Sequence, residues 1–112
     1  MYAFEIPGMR FSLPAGGDVA RHRFVSIDSS SNGIAATAST PVVGVSMNQV
    51  KTGEVLEVAD GIVIVEASGA VTAGAKVYSD ANGMATAAGT GDAVGVAVTA
   101  ATGANELITV KM

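Results

Sequence analysis

The sequence predicts an all-β protein, and three observations carry that expectation. Val94, Val96 and Val98 alternate with Gly95, Ala97 and Thr99, the period of two that places successive side chains on opposite faces of a strand. Val42-Val43-Gly44-Val45 and Leu107-Ile108-Thr109-Val110 are short β-branched runs bounded by turn residues. No window keeps apolar residues at helical spacing over three turns, and the Ala-rich stretches 34–40 and 97–104 are laced with Thr and Gly, which disfavour helix. One short helical turn is allowed, near Gly17–Arg21.

Two dipeptides read as hairpin turns. Asp60-Gly61 separates Val55-Leu56-Glu57-Val58-Ala59 from Ile62-Val63-Ile64-Val65-Glu66, and a type I′ turn there would suit residues that tolerate positive φ. Asn82-Gly83 lies in the same way between Lys76-Val77-Tyr78-Ser79 and Met84-Ala85-Thr86-Ala87.

An internal repeat organises the chain, over about 23–58 and about 75–110. The first copy holds Arg23-Phe24-Val25-Ser26-Ile27-Asp28, Asn32-Gly33-Ile34-Ala35, Val43-Gly44-Val45 and Thr52-Gly53-Glu54-Val55-Leu56-Glu57-Val58. The second holds Lys76-Val77-Tyr78-Ser79-Asp80, Asn82-Gly83-Met84-Ala85, Val94-Gly95-Val96 and Thr102-Gly103, closing with Glu106-Leu107-Ile108-Thr109-Val110. Pro14-Ala15-Gly16 and Thr72-Ala73-Gly74 match on approach. Each unit alone is too small to bury an apolar face, so the two are expected to pair into one compact barrel or sandwich.

A chain of 112 residues supports one domain. Its apolar fraction of 49% comes mostly from Ala and Val, so the core gains little area per side chain and partners would add stability. Cysteine is absent, which excludes disulfides and thiolate metal sites. The net charge of −4 argues against nucleic-acid binding. Residues 1–25 carry Arg10, Arg21 and Arg23 against Glu5 and Asp18, a net of +1. The rest carries three lysines against eight carboxylates, a net of −5. Four of the five aromatics, Tyr2, Phe4, Phe11 and Phe24, also lie near the amino terminus; the fifth is Tyr78. Residues 1–22 are therefore read as an extended amino-terminal arm and 23–112 as a single β domain. No signal-peptide pattern or membrane-spanning apolar run is visible.

Nothing in the sequence points to catalysis, a metal or a cofactor. His22, the one histidine, sits between Arg21 and Arg23, whose charges lower its pKa and oppose cation binding, and it reads as a solvated or partner-facing strand residue. Glu54, Glu57, Asp60 and Glu66 lack the aromatic platforms that accompany glycosidase carboxylates and read as an exposed acidic strand face. Gly89-Thr90-Gly91-Asp92-Ala93-Val94-Gly95 fails dinucleotide-loop spacing and leads into a strand. Asp80-Ala81-Asn82-Gly83 lacks the remaining ligands of a calcium loop. Ser29–Ser31 read as a loop.

The run Glu66-Ala67-Ser68-Gly69-Ala70-Val71-Thr72-Ala73-Gly74-Ala75-Lys76-Val77-Tyr78-Ser79-Asp80-Ala81-Asn82-Gly83, followed by Val94-Gly95-Val96-Ala97 and a terminal β run ending Val110-Lys111-Met112, is similar to the small capsid decoration (cement) proteins of tailed bacteriophages. The resemblance covers roughly residues 42–112 and is weaker in the amino-terminal quarter. It implies a β-barrel or β-tulip-like domain, made in the host cytoplasm and bound to the outer surface of the mature capsid. There it would clamp the major capsid protein against the pressure of packaged DNA, often as a trimer. Aromatic and arginine residues are the usual anchors of protein interfaces, so Tyr2, Phe4, Arg10 and Phe11 are the candidate contacts with the capsid or with a neighbouring copy. Phe11 and Phe24 suit a β core equally well. The competing expectation is a non-catalytic ligand- or carbohydrate-binding β module, which would need an aromatic-lined groove.

Overall fold

The computed structural model describes residues 3–89 and 91–112. Nine strands follow in order: β1 (Ile6–Pro14), β2 (Phe24–Ile27), β3 (Gly33–Ala35), β4 (Gly44–Ser46), β5 (Val55–Glu66), β6 (Lys76–Ser79), β7 (Ala85–Thr86), β8 (Gly95–Ala97) and β9 (Leu107–Lys111). They pair antiparallel in the order β3-β2-β4-β5-β9-β8-β6-β7, with β1 on β5, and the sheet curls into a half-barrel. The all-β expectation holds. No helix occurs among the described residues, and Gly17–Arg21 instead carries the isolated bridge Val19–Val50.

The expected hairpin at Asp60-Gly61 does not form. Val55–Glu66 runs through as one strand of 12 residues. A type I′ turn needs positive φ at both central residues, and only Gly61 has it, at 99°. Gly61 serves a different geometry, the close approach of β1. A side-chain carbon at Gly61 would lie 2.6 Å from Gly8 N. Across from it the β1 register shifts between Pro7 and Arg10, a bulge, and Asp60 Oδ1 accepts a hydrogen bond from Met9 N at 2.9 Å.

Both edges of β5 are used. Ala59 pairs with Arg10 and with Val45, while Ile62 pairs with Ile6 and with Lys111. The extended arm expected at the amino terminus is thus, over Ile6–Pro14, a strand laid along β5. Its backbone donors and acceptors need partners, and an open edge of β5 supplies them. Beyond it, Ala15 N donates to Glu54 O and His22 N to Ser46 O, so the following loop is also tied to the sheet. Ahead of it, the Thr109 hydroxyl accepts from Phe4 N and donates to Phe4 O, each at 2.6 Å.

Asn82-Gly83 does close a hairpin, between β6 and β7. The loop is longer than two residues: Asp80 Oδ1 accepts from Asn82 N and Met84 N, Gly83 N donates to Asp80 O, and Gly83 takes φ 77°. That is a type I turn followed by a left-handed residue. Asp28 builds the same loop between β2 and β3. Its Oδ1 accepts from Ser30 N and Asn32 N, Ser31 N donates to Asp28 O, and Ser31 takes φ 65°. In this half the Asn-Gly pair of the repeat lies past the turn, because Gly33 already belongs to β3.

The correspondence extends along the backbone. Arg10–Pro14 pair with Ala59–Val55 as Ile62–Glu66 pair with Lys111–Leu107. Ala15 N→Glu54 O recurs as Ala67 N→Glu106 O, His22 N→Ser46 O as Gly74 N→Ala97 O, and Met47 N→Glu57 O as Val98 N→Thr109 O. Among the described residues three that are not glycine have positive φ: His22, Ser31 and Asn105. Their counterparts in the other half are Gly74, Gly83 and Gly53, all also at positive φ. His22 is therefore a turn residue, not the strand residue expected.

Two apolar clusters fill the sheet. The smaller holds Ala15, Val19, Val25, Val50, Leu56 and Val58, all from the first half. The larger combines second-half residues such as Val63, Val65, Val77, Ile108 and Val110 with Phe24, Ala36, Val45 and Ala59 from the first. Phe24 is 0% exposed and fixes the two halves together.

Left-handed backbone costs a non-glycine residue about 1–2 kcal/mol, partly offset by the entropy that glycine loses on folding. Ser31→Gly is expected to stabilise the protein by about 0.5–1 kcal/mol, read as a rise in the chemical-denaturation midpoint. Gly83→Ala is expected to do the reverse and by more, because the added carbon would also lie 2.9 Å from Phe24 O. Partial burial, and then the charge of Arg21, hold the His22 pKa below 6.5. A histidine with a depressed folded-state pKa contributes stability that is present above 6.5 and lost as pH falls through the lower folded value. The melting temperature is expected to decline as pH drops below 6.5, and His22→Asn, which tolerates the same backbone, is expected to remove that step.

Candidate functional site

The surface that the fold leaves open is β1. Its second edge makes no strand pairing among the described residues, and large apolar side chains cluster on it. Met9 is 75% exposed, Ile6 63%, Phe11 39% and Phe4 38%. An edge strand of this kind is a template for association unless it is blunted. Here it is blunted by the bulge at Gly8-Met9 and by Pro7 and Pro14, which offer no N–H. The strand therefore favours side-chain docking over open-ended sheet extension.

Three of the four residues singled out from the sequence are described, and the structure brings them to this one strand and its approach. Phe11 stands opposite Val58, a residue of the smaller cluster, and is itself exposed. Arg10 points to the other face, 3.6 Å from Glu57, with both side chains about half exposed. Such a pair is worth about 0–1 kcal/mol, so the guanidinium can be recruited elsewhere. Phe4 is held by the Thr109 hydroxyl. Tyr2 lies outside the described residues. Sequence reasoning missed Ile6 and Met9. They flank Pro7-Gly8, and it is the register shift of β1 between Pro7 and Arg10 that leaves them exposed.

The carboxylates do not converge on a site. Glu54 Oε1 accepts from Lys51 N, Glu57 serves Arg10 and Ser12, Asp60 caps Met9 N, and Glu66 pairs with Arg23 at 3.3 Å. Backbone hydrogen bonds from Asn32 and Ser30 hold the Asp28 pKa low, and Thr102 does the same for Glu106. Among the described residues no group of three or more His, Cys, Asp or Glu could hold a metal ion. An open groove between the 38–42 and 91–94 loops is lined by Thr40, Pro41, Val42, Asp92, Val94 and Met112, with no aromatic wall for a sugar.

A search of curated protein sequences finds no match. Among solved structures the chain is similar to the head fibre gp8.5 N base of bacteriophage phi29, at 20% identity and a TM-score of 0.77, over 93% of this chain and 92% of that one. At that identity the likeness speaks for the fold. The family model described as phage cement protein matches residues 6–112, so the amino-terminal strand is included along with the body. The chain belongs to the phage cement proteins, structural components that decorate the capsid.

Proposed function

We propose that this protein binds the outer surface of the mature phage head, touches the major capsid protein through β1, and stabilises the shell against internal DNA pressure without catalysing a reaction. The observation that supports the reading is the open, bulged β1 with Ile6, Met9 and Phe11 on its surface, inside the span matched by the family. Phe4, Arg10 and Phe11, with Tyr2 just before them, are the proposed contacts. Arg10 can exchange its weak pair with Glu57 for a capsid carboxylate, and the apolar residues supply area to bury. Fully burying one such side chain contributes about 1.5–3 kcal/mol, so three or four give useful affinity at each site. Repeated over a lattice, many modest contacts together resist the outward pressure of packaged DNA. Binding that requires the expanded arrangement of subunits shifts the shell toward its mature state. The protein is further read as a homo-oligomer, a trimer by family resemblance, synthesised in the host cytoplasm before it joins the virion.

The protein is expected to co-sediment with expanded heads and not with procapsids, and to raise the temperature at which filled heads release DNA. Equal binding to both shells, or none to either, would contradict the proposal. Because β1 is paired with β5, removing residues 1–11 would also strip β5 of an edge partner, so point changes are the cleaner probe. Ile6→Ser with Met9→Ser is expected to weaken binding to expanded heads by at least about tenfold, equivalent to about 1.4 kcal/mol, with little change in melting temperature.

A further inference from the structure

The two halves of the chain meet at a joint, and the joint has counterpart surfaces elsewhere on the molecule. On the first half it is made by a row across three strands, Phe24–Val45–Ala59, in which every residue is 0% exposed. Phe24 N donates to Gly83 O at 2.7 Å and Glu66 N to His22 O at 2.9 Å. Arg23 donates to Asn82 O and pairs with Glu66, each at 3.3 Å. Gly83 is close enough to Phe24 O and Ala36 N that it has no room for a side chain.

The equivalent row on the second half is Lys76–Val96–Lys111, and it faces outward, with both lysines exposed and Val96 44% exposed. At the other end, the first half presents the counterparts of the surface that Phe24 covers. A molecule whose two ends match each other in this way invites head-to-tail stacking of copies, which yields filaments when the contact does not close.

We propose that both outer ends are built to refuse that continuation. Five determinants of the joint are changed at their equivalents, while Val45 keeps its valine as Val96. Phe24 is matched by Lys76 and Ala59 by Lys111, so an apolar row becomes a cationic one whose burial would strand two ammonium groups. Arg23 is matched by Ala75, since Ser46 N→Arg23 O recurs as Ala97 N→Ala75 O, and the ion pair is lost. Glu66, whose N–H binds His22 O, is matched by Pro14, which has no N–H to give. Gly83 is matched by Ser31, whose Cβ occupies the space the joint needs. The changes act by charge, by a missing donor and by bulk, and they fall on both ends. The chain thus stops stacking at its own two halves, which keeps it available as separate units for a lattice. Contacts between copies of the kind proposed above then use other surfaces.

The test restores the joint on each end separately. One variant carries Lys76→Phe and Lys111→Ala; the other carries Pro14→Glu and Ser31→Gly. Each is first shown to fold by its melting curve. Sedimentation equilibrium of the two mixed is expected to show a complex absent from the wild-type protein, and a chain carrying all four changes is expected to grow in mass with concentration. Masses that stay at the wild-type value in both experiments would overturn the proposal. So would wild-type association that Ser31→Trp abolishes, because the ends would then already be an interface. Neither result depends on capsid binding, so failure here and failure of the capsid reading remain distinguishable.

Discussion

Backbone hydrogen bonding along both edges of β5 is the constraint on which the rest of the structure depends. A single strand serves as the last strand of one half and the first of the other, with β1 on one edge and β4 and β9 sharing the opposite one. That arrangement requires the backbone to pass the junction without reversing, and Gly61 makes it possible by accepting a positive φ and letting β1 come within contact distance. Any larger residue there would push β1 off, and with it the surface that carries Ile6, Met9 and Phe11. That exposed surface is therefore a consequence of how the two halves are joined.

The division of the core follows from the same geometry. The interior of the second half is completed by Phe24, Ala36, Val45 and Ala59 from the first, whereas the smaller cluster draws only on first-half residues among those described. Val63 and Phe11 occupy equivalent places in the pairing, yet Val63 is 0% and Phe11 39% exposed. The asymmetry places a partly open aromatic next to the free edge. A chain poor in large side chains, with 4% aromatic residues, concentrates them where one fastens the halves and others meet the outside.

Much of this was legible in the residues. The alternation at Val94–Val98 and the β-branched runs gave strands where strands occur, and the Asp80 loop closed a hairpin as its Asn-Gly pair suggested. Asp60-Gly61 misled because the local preference for a left-handed residue is shared by a reversal and by a bulge. Only the partner strand decides between them, and β1 lies some fifty residues away, the scale of contact that local pattern cannot carry. The amino-terminal segment misled for the complementary reason. Its proline, glycine and aromatic content resembles a free arm, while its backbone is satisfied by a distant edge. The cluster of aromatic and arginine residues did indicate an outward surface, but Ile6 and Met9 become visible only once the bulge turns them out.

If the account is right, the face that meets the shell is β1, while the lysine row at the far end stays in solvent. Hydrogen exchange combined with oxidative footprinting on protein bound to expanded heads measures both at once. The account predicts slowed exchange across residues 6–13 and protection of the Met9 thioether, with the strip around Val96 unchanged from the free protein. Undiminished Met9 oxidation together with protection at Lys76–Lys111 would contradict it.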